Sequence, residues 1–201
     1  MLDRRATSLL RPAVTRGAQW LVRVGLSANQ LTLLGFCLGM LAALLIAGEH
    51  YWTGAGAILL SRLLDGLDGA VARQTRVTDA GAFLDIALDF LFYASIPLAF
   101  AVADPARNAL AAAVLLAAFV GTGSSFLAFA VLAAKRGLQS TDYPDKSFYF
   151  LGGLTEATET LIFFVAACLW PAYFPLLAYG FAILCGVTII SRILWAWRTL
   201  S

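Results

Sequence analysis

Residues 61–89 read SRLLDGLDGAVARQTRVTDAGAFLDIALD, and this stretch decides the fold. Apolar sequence of helical period runs up to a short polar segment and resumes after it, which predicts one helix ending, a tight turn and a second helix beginning. Four carboxylates lie inside the apolar parts. Asp65 and Asp68 are three apart and Asp85 and Asp89 four apart, so each pair shares one helix face. At 1.5 Å per residue all four sit about 7–14 Å from the helix ends at the turn, at matching depths.

Such placement is expensive in an apolar surround. An aspartate at the centre of a bilayer-spanning helix costs about 2.5–3.5 kcal/mol, so four ionised and unpaired ones cost roughly 10–14 kcal/mol. Only Arg62 and Arg73 are near enough in sequence to balance them, which weakens the reading of buried structural ion pairs. Hard divalent cations fit better, because carboxylate oxygens are the preferred ligands of magnesium, manganese and calcium. Gly66, Gly69 and Gly81 allow a ligand or a second helix to approach the backbone.

Outward from this stretch the chain is a membrane protein. Of its 201 residues 61% are hydrophobic, and the mean hydropathy is +0.82. Apolar runs near the roughly 20 residues needed to cross a bilayer recur at about 31–48, 52–72, 81–103, 108–134, 149–170 and 173–197. The expected fold is all-α: six transmembrane helices in one domain spanning 27–201, preceded by an amphipathic helix over 1–26 lying on the membrane surface. In that first segment Leu2, Leu9, Leu10, Ala13, Trp20, Leu21 and Val24 take one face, with Arg4, Arg5, Arg11, Arg16, Gln19 and Arg23 on the other. Pro12 starts, kinks or breaks this helix, and a disordered basic arm is the alternative. Arg11 and Pro12 interrupt the segment before any apolar signal-peptide core develops, so no signal peptide is expected.

Charge sets the orientation. With the N-terminus in the cytoplasm and six spans, cytoplasmic segments receive Arg4, Arg5, Arg11, Arg16, Arg23, Arg73, Arg76, Lys135, Arg136, Lys146 and Arg198, and outer loops receive Arg107 alone. This is the positive-inside pattern, with both termini and the four acids on the cytoplasmic side. Cys37, Cys168 and Cys185 stand singly inside spans, with neither zinc-ligand nor disulfide spacing.

Asp65-x2-Asp68-Gly69-x2-Ala72-Arg73 followed by Gly81-x3-Asp85-x3-Asp89 resembles the signature of the CDP-alcohol phosphotransferases, membrane enzymes that transfer phospholipid headgroups. Seven residues separate Arg73 from Gly81 where the family usually has eight, a shortening confined to the loop. Asn29-x2-Thr32 at the mouth of the first span is also similar to the family plan, although Ala28 stands where proline is common. The overall character also resembles that of small bacterial inner-membrane members of the family.

The resemblance implies metal ligation by Asp65, Asp68, Asp85 and Asp89, with two Mg2+ or Mn2+ ions, and Asp89 as general base. It implies that Asp68, Gly69, Ala72, Arg73, Gly81, Asn29 and Thr32 receive the CDP group. The implied partners are a CDP-linked lipid donor such as CDP-diacylglycerol, a small alcohol acceptor, membrane lipids and a second copy in a homodimer, with no nucleic acid. A cation- or proton-coupled transporter is the competing function. It would need polar groups towards both membrane faces, whereas these acids cluster in the cytoplasmic half.

Weaker signals lie further along. Glu156 and Glu159 interrupt apolar sequence, and a helix starting near Tyr149 would carry both to about the depth of the aspartates. They are candidates for an acceptor pocket or for internal pairing. Lys146 and Arg192, with Lys135 and Arg136, are candidates for a phosphate on the acceptor, or serve topology and anionic lipid. Gly121-Thr122-Gly123-Ser124-Ser125 suits close helix packing or a dimer interface.

Overall fold

The structure is a computed structural model that describes the backbone of residues 2–137 and 154–201, and the side chains of residue 12 and of residues 14–137 and 154–201. Among these residues seven α-helices follow in order: α1 Leu2–Arg23, α2 Ala28–Ala47, α3 Tyr51–Gln74, α4 Asp79–Ala103, α5 Pro105–Lys135, α6 Ala157–Leu169 and α7 Phe174–Leu200, with a 3-10 turn at Pro171–Tyr173 before α7. The described residues contain no strand.

Local chemistry fixes the helix ends. α1 reverses through Gly25, whose φ of +83° suits a residue without a Cβ, while Leu26 N–H donates to the Leu21 carbonyl at 3.1 Å. Ser27 then caps α2 reciprocally with Gln30: Gln30 N–H donates to Ser27 Oγ at 3.3 Å, and Ser27 N–H to Gln30 Oε1 at 2.9 Å. Thr78 caps α4 by accepting from Gly81 N–H at 3.1 Å, and Asp104 caps α5 ahead of Pro105 at its first position. At the opposite end of the bundle Asn108 Nδ2 donates to the Phe100 carbonyl at 2.9 Å, and the Arg107 guanidinium donates to the Ala172 carbonyl.

α2 packs along α3 and α4, α5 along α7 and α4, and α3 against α1 and α6. Between them runs an aromatic column in which Phe92 meets Phe164 edge-on at 6.0 Å, Phe163 stacks on Phe181 at 4.7 Å and Phe100 stacks on Phe174 at 4.4 Å. Lipid tails are as apolar as these rings, so association rests on close packing. Gly39 shows how close: a Cβ there would stand 2.5 Å from Phe92 Cδ2. A smaller cluster of Ala18 and Leu21 from α1, Leu31 from α2 and Ala70 and Val71 from α3 docks the first helix at the acid-bearing end.

Among the described residues four helical segments, α2, α4, α5 and Pro171–Leu200, are long and apolar enough to cross a membrane. The other two expected spans are more polar or shorter. α3 has 24 residues, but Arg62, Asp65, Asp68 and Arg73 lower its apolar character. α6 is a shorter apolar helix of 13 residues that begins at Ala157, not near Tyr149; residues 149–153 of that expected span lie outside the described residues. α1 continues through Pro12, and Trp20, assigned to its apolar face, is exposed while Ala18 is buried. Gly121 and Gly123 approach neighbours within the chain, since an added Cβ would stand 2.6 Å from Ile189 Cδ1 and closer still to Phe90 Cε1.

Candidate active site

The turn at 75–78 brings the ends of α3 and α4 side by side. Counting back from Gln74 and forward from Asp79, Asp68 and Asp85 lie about 9 Å inside their helices, and Asp65 and Asp89 about 14–15 Å inside. The four acids thus form two levels. One carboxylate oxygen from each of Asp65, Asp68 and Asp85 comes within 4.8 Å of the others, a separation that one cation can bridge. The all-oxygen, all-carboxylate donor set suits a hard divalent ion.

Neighbouring side chains hold these groups. Thr32 Oγ1, at the start of α2, donates to Asp68 Oδ2 at 2.6 Å in a buried hydrogen bond. At the deeper level Arg62 Nη1 lies 2.5 Å from Asp89 Oδ1 and 3.3 Å from Asp65 Oδ1, so one nitrogen joins acids of two helices. The Arg62 guanidinium stands 3.9 Å above the Phe92 ring. Asn29 reaches the start of α4, where a Cβ on Gly81 would meet Asn29 Oδ1 at 3.0 Å. Arg73 folds back over Gly69, whose added Cβ would lie 3.3 Å from Arg73 Nη1.

A cavity of about 720 Å³ opens over this platform. Asn29, Thr32, Asp68, Gly69, Ala72, Arg73, Gly81, Asp85 and Asp89 all line it, and Arg76 joins Arg73 at the same wall. Asp65 is not among the lining residues; it belongs to the three-carboxylate cluster and to Arg62.

A second polar wall comes from α5, α6 and α7. Arg192, buried on α7, donates from Nη1 to the Thr122 carbonyl at 3.1 Å and lines the cavity with Glu156. Thr155 donates through Oγ1 to Thr188 Oγ1 at 3.0 Å beside them. Glu156 stands at the N-cap of α6, and its N–H donates to Glu159 Oε2 at 3.2 Å. Glu159 therefore serves the helix end and does not line the cavity. Lys146 lies outside the described residues.

Arg62, Thr122, Thr155 and Thr188 complete the site; from sequence Arg62 stood only as a possible counter-charge to the acids, and Thr122 only in a small-residue packing patch. Arg62 carried the clearest signal. A lone arginine in apolar helix three residues before an aspartate faces that acid and needs a partner.

The site therefore offers a carboxylate cluster for a cation, arginines beside it for phosphate, and room for a nucleotide-sized ligand. A family model described as CDP-alcohol phosphatidyltransferase matches residues 26–195. The inner membrane protein YnjF of Escherichia coli is 50% identical over 100% of this chain and 98% of its own. The archaetidylinositol phosphate synthase of Pyrococcus horikoshii is 31% identical over 96% of this chain and 98% of its own. Among solved structures, Mycobacterium tuberculosis phosphatidylinositol phosphate synthase with CDP-DAG bound superposes with a TM-score of 0.71 at 25% identity, covering 92% of this chain and 93% of that one. The chain belongs to the CDP-alcohol phosphatidyltransferase family, as a multi-pass membrane enzyme of that class.

Proposed function

We propose that this enzyme transfers the phosphatidyl group of a CDP-linked lipid, CDP-diacylglycerol, to the hydroxyl of a small alcohol, releasing CMP, as a step of phospholipid biosynthesis. The observation that carries the reading is the meeting of Asp65, Asp68 and Asp85 within 4.8 Å beside a cavity that Arg73 and Arg76 also line. The relative crystallised with CDP-DAG supports the choice of donor.

Asp65, Asp68 and Asp85, with Asp89 as a fourth ligand, would hold Mg2+ or Mn2+, in our reading two ions. Such ions, when bound, neutralise the pyrophosphate and the charge that develops on departing CMP. Arg73 meets a donor phosphate, and Gly69, Ala72 and Gly81 leave the backbone open to the cytidine side, with Asn29 and Thr32 closing the far edge. Asp89 takes the proton of the acceptor hydroxyl. The acceptor oxygen bonds to the phosphorus that carries diacylglycerol, the P–O bond to the CMP phosphate breaks, and CMP leaves with that electron pair. One displacement suffices, with no covalent enzyme intermediate.

The acceptor is assigned to the wall of Glu156 and Arg192, with Arg192 receiving a phosphate when the alcohol bears one and Lys146 assigned to the same role from sequence alone. Glu159 takes part only by holding the turn of Glu156. The transporter alternative has no observation in its favour once family membership is established.

The same proposal includes six crossings, with α3 and the stretch ending in α6 added to the four apolar helices, and α1 lying on the membrane surface. Both termini and the acids face the cytoplasm of a bacterial inner membrane, as the arginine and lysine bias requires. The inner membrane protein of Escherichia coli supports that location. Assembly as a homodimer is checked by the mass of the detergent-solubilised protein.

The test is radiolabelled CDP-diacylglycerol with purified protein, Mg2+ or Mn2+ and a panel of alcohols with and without phosphate. A new labelled lipid with one acceptor supports the proposal. Absence of any new lipid across the panel refutes it.

A further inference from the structure

We propose that the wall of Glu156 and Arg192 selects an uncharged polyhydroxylated alcohol over its phosphate ester, an inference that rests on the reading of this wall as the acceptor site.

Charge is balanced there. Among the described residues Arg192 is the one cation and Glu156 the one anion that α5, α6 and α7 bring to the cavity, and both are buried, at 7% and 8% exposure. The carboxylate is close enough to act on the guanidinium charge. Arg192 Nη1 donates to the Thr122 carbonyl at 3.1 Å, while Nε is buried with no hydrogen-bond partner among the described residues. A guanidinium held this deeply needs a compensating charge, and Glu156 supplies it. Glu156 in turn stands at the N-cap of α6, where the positive end of the helix favours an anion.

The direction of the hydrogen bonds points the same way. Thr155 Oγ1 donates to Thr188 Oγ1 at 3.0 Å, Thr160 Oγ1 to the Glu156 carbonyl at 2.9 Å and Thr122 Oγ1 to the Phe119 carbonyl at 3.0 Å. Thr122, Thr155 and Thr160 all line the cavity, yet each hydroxyl proton is engaged within the protein. What these side chains present to a ligand is oxygen lone pairs, as does the Glu156 carboxylate. Such a wall receives O–H donors, which a polyol brings in number. A phosphate dianion brings acceptors only, and it reaches Arg192 in competition with Glu156. Arg73 and Arg76 line the other wall, the one assigned to the donor.

The test compares each alcohol with its phosphate ester, inositol with inositol phosphate and glycerol with glycerol phosphate, in proteoliposomes that hold CDP-diacylglycerol. Ethanolamine and serine complete the panel. The native chain is expected to show a kcat/KM about tenfold or more higher for the uncharged member of the pair it uses. E156Q and E156N remove the charge and are expected to shift that ratio about tenfold towards the phosphate ester. E156N keeps a side chain suited to an N-cap and carries the test if E156Q does not fold.

A second measurement needs no acceptor. Inorganic phosphate is titrated against thermal unfolding of the detergent-solubilised full chain with divalent ions chelated. E156Q is expected to bind phosphate about tenfold more tightly than the native chain, and the gain is expected to vanish in the double variant E156Q/R192Q. Phosphate held by Arg73 and Arg76 is common to all three chains and cancels.

A native preference for the phosphate ester or for an amino alcohol overturns the proposal, as does an unchanged ratio in E156Q and E156N or equal phosphate binding by the native chain and E156Q. Absence of any new lipid with every acceptor refutes the phosphatidyl-transfer reading instead, and the phosphate titration then decides the charge balance of the wall by itself.

Discussion

Thr32 Oγ1 on α2 donates to Asp68 Oδ2 on α3 across 2.6 Å, and this bond ties the mouth of the first long apolar helix to the carboxylate cluster. Both residues are buried at the cavity wall. T32V removes the donor while keeping the shape. A hydrogen bond to a charged group contributes about 1.5–3 kcal/mol, equivalent to roughly tenfold or more in a binding constant. In a Mn2+ titration T32V is expected to change metal half-saturation by about tenfold or more, and an unchanged titration removes Thr32 from the site.

Gly39 is expected to tolerate no side chain. A Cβ there would lie 2.5 Å from Phe92 Cδ2 and 3.1 Å from Ser61 Oγ, so G39A displaces two side chains that touch Arg62. Overpacking of this kind costs about 1–3 kcal/mol. The checking measurement is thermal unfolding in detergent, where G39A should melt below the native chain and G56A, with open space around its added Cβ, should be affected less by packing.

Arg192 and Glu159 are expected to separate. Arg192 lines the cavity, so R192Q should raise the acceptor KM about tenfold for an acceptor bearing phosphate, with the donor KM unchanged. Glu159 accepts the Glu156 N–H at the start of α6, and E159A should cost about 0.5–1.5 kcal/mol of stability. Steady-state kinetics with both substrates varied checks the pair. A raised acceptor KM in E159A at native stability would show that Glu159 reaches the substrate.

How far the sequence carried these conclusions varies along the chain. Asp65, Asp68, Asp85 and Asp89 were legible because helical spacing fixes a shared face and an apolar surround makes each charge conspicuous. The elements themselves were nearly as clear: α2, α3, α4, α5 and α7 begin and end within a few residues of the apolar runs, since caps such as Ser27 and Thr78 stand beside them. The depth of Glu159 was misjudged because α6 starts at Ala157, and a helix start displaced along the chain changes the depth of every residue after it. The contacts of Arg62 with Asp89 and Phe92 escaped for another reason. Their pairing depends on how α3 turns towards α4 about its own axis, and spacing within one helix says nothing about that rotation. The glycines at 121 and 123 show the same limit, since small residues announce a close approach without naming the neighbour.

The central claim is that the aspartate platform runs transfer from a CDP-lipid. Its most direct measurement is CMP release from CDP-diacylglycerol in proteoliposomes, with an acceptor panel, for the native chain and for D85N, with Mg2+ or Mn2+ present or chelated. The expected result is release from the native chain that requires both divalent ion and acceptor, and that falls about a hundredfold or more in D85N. Equal release from the native chain and D85N, or full release in the presence of chelator, would contradict it.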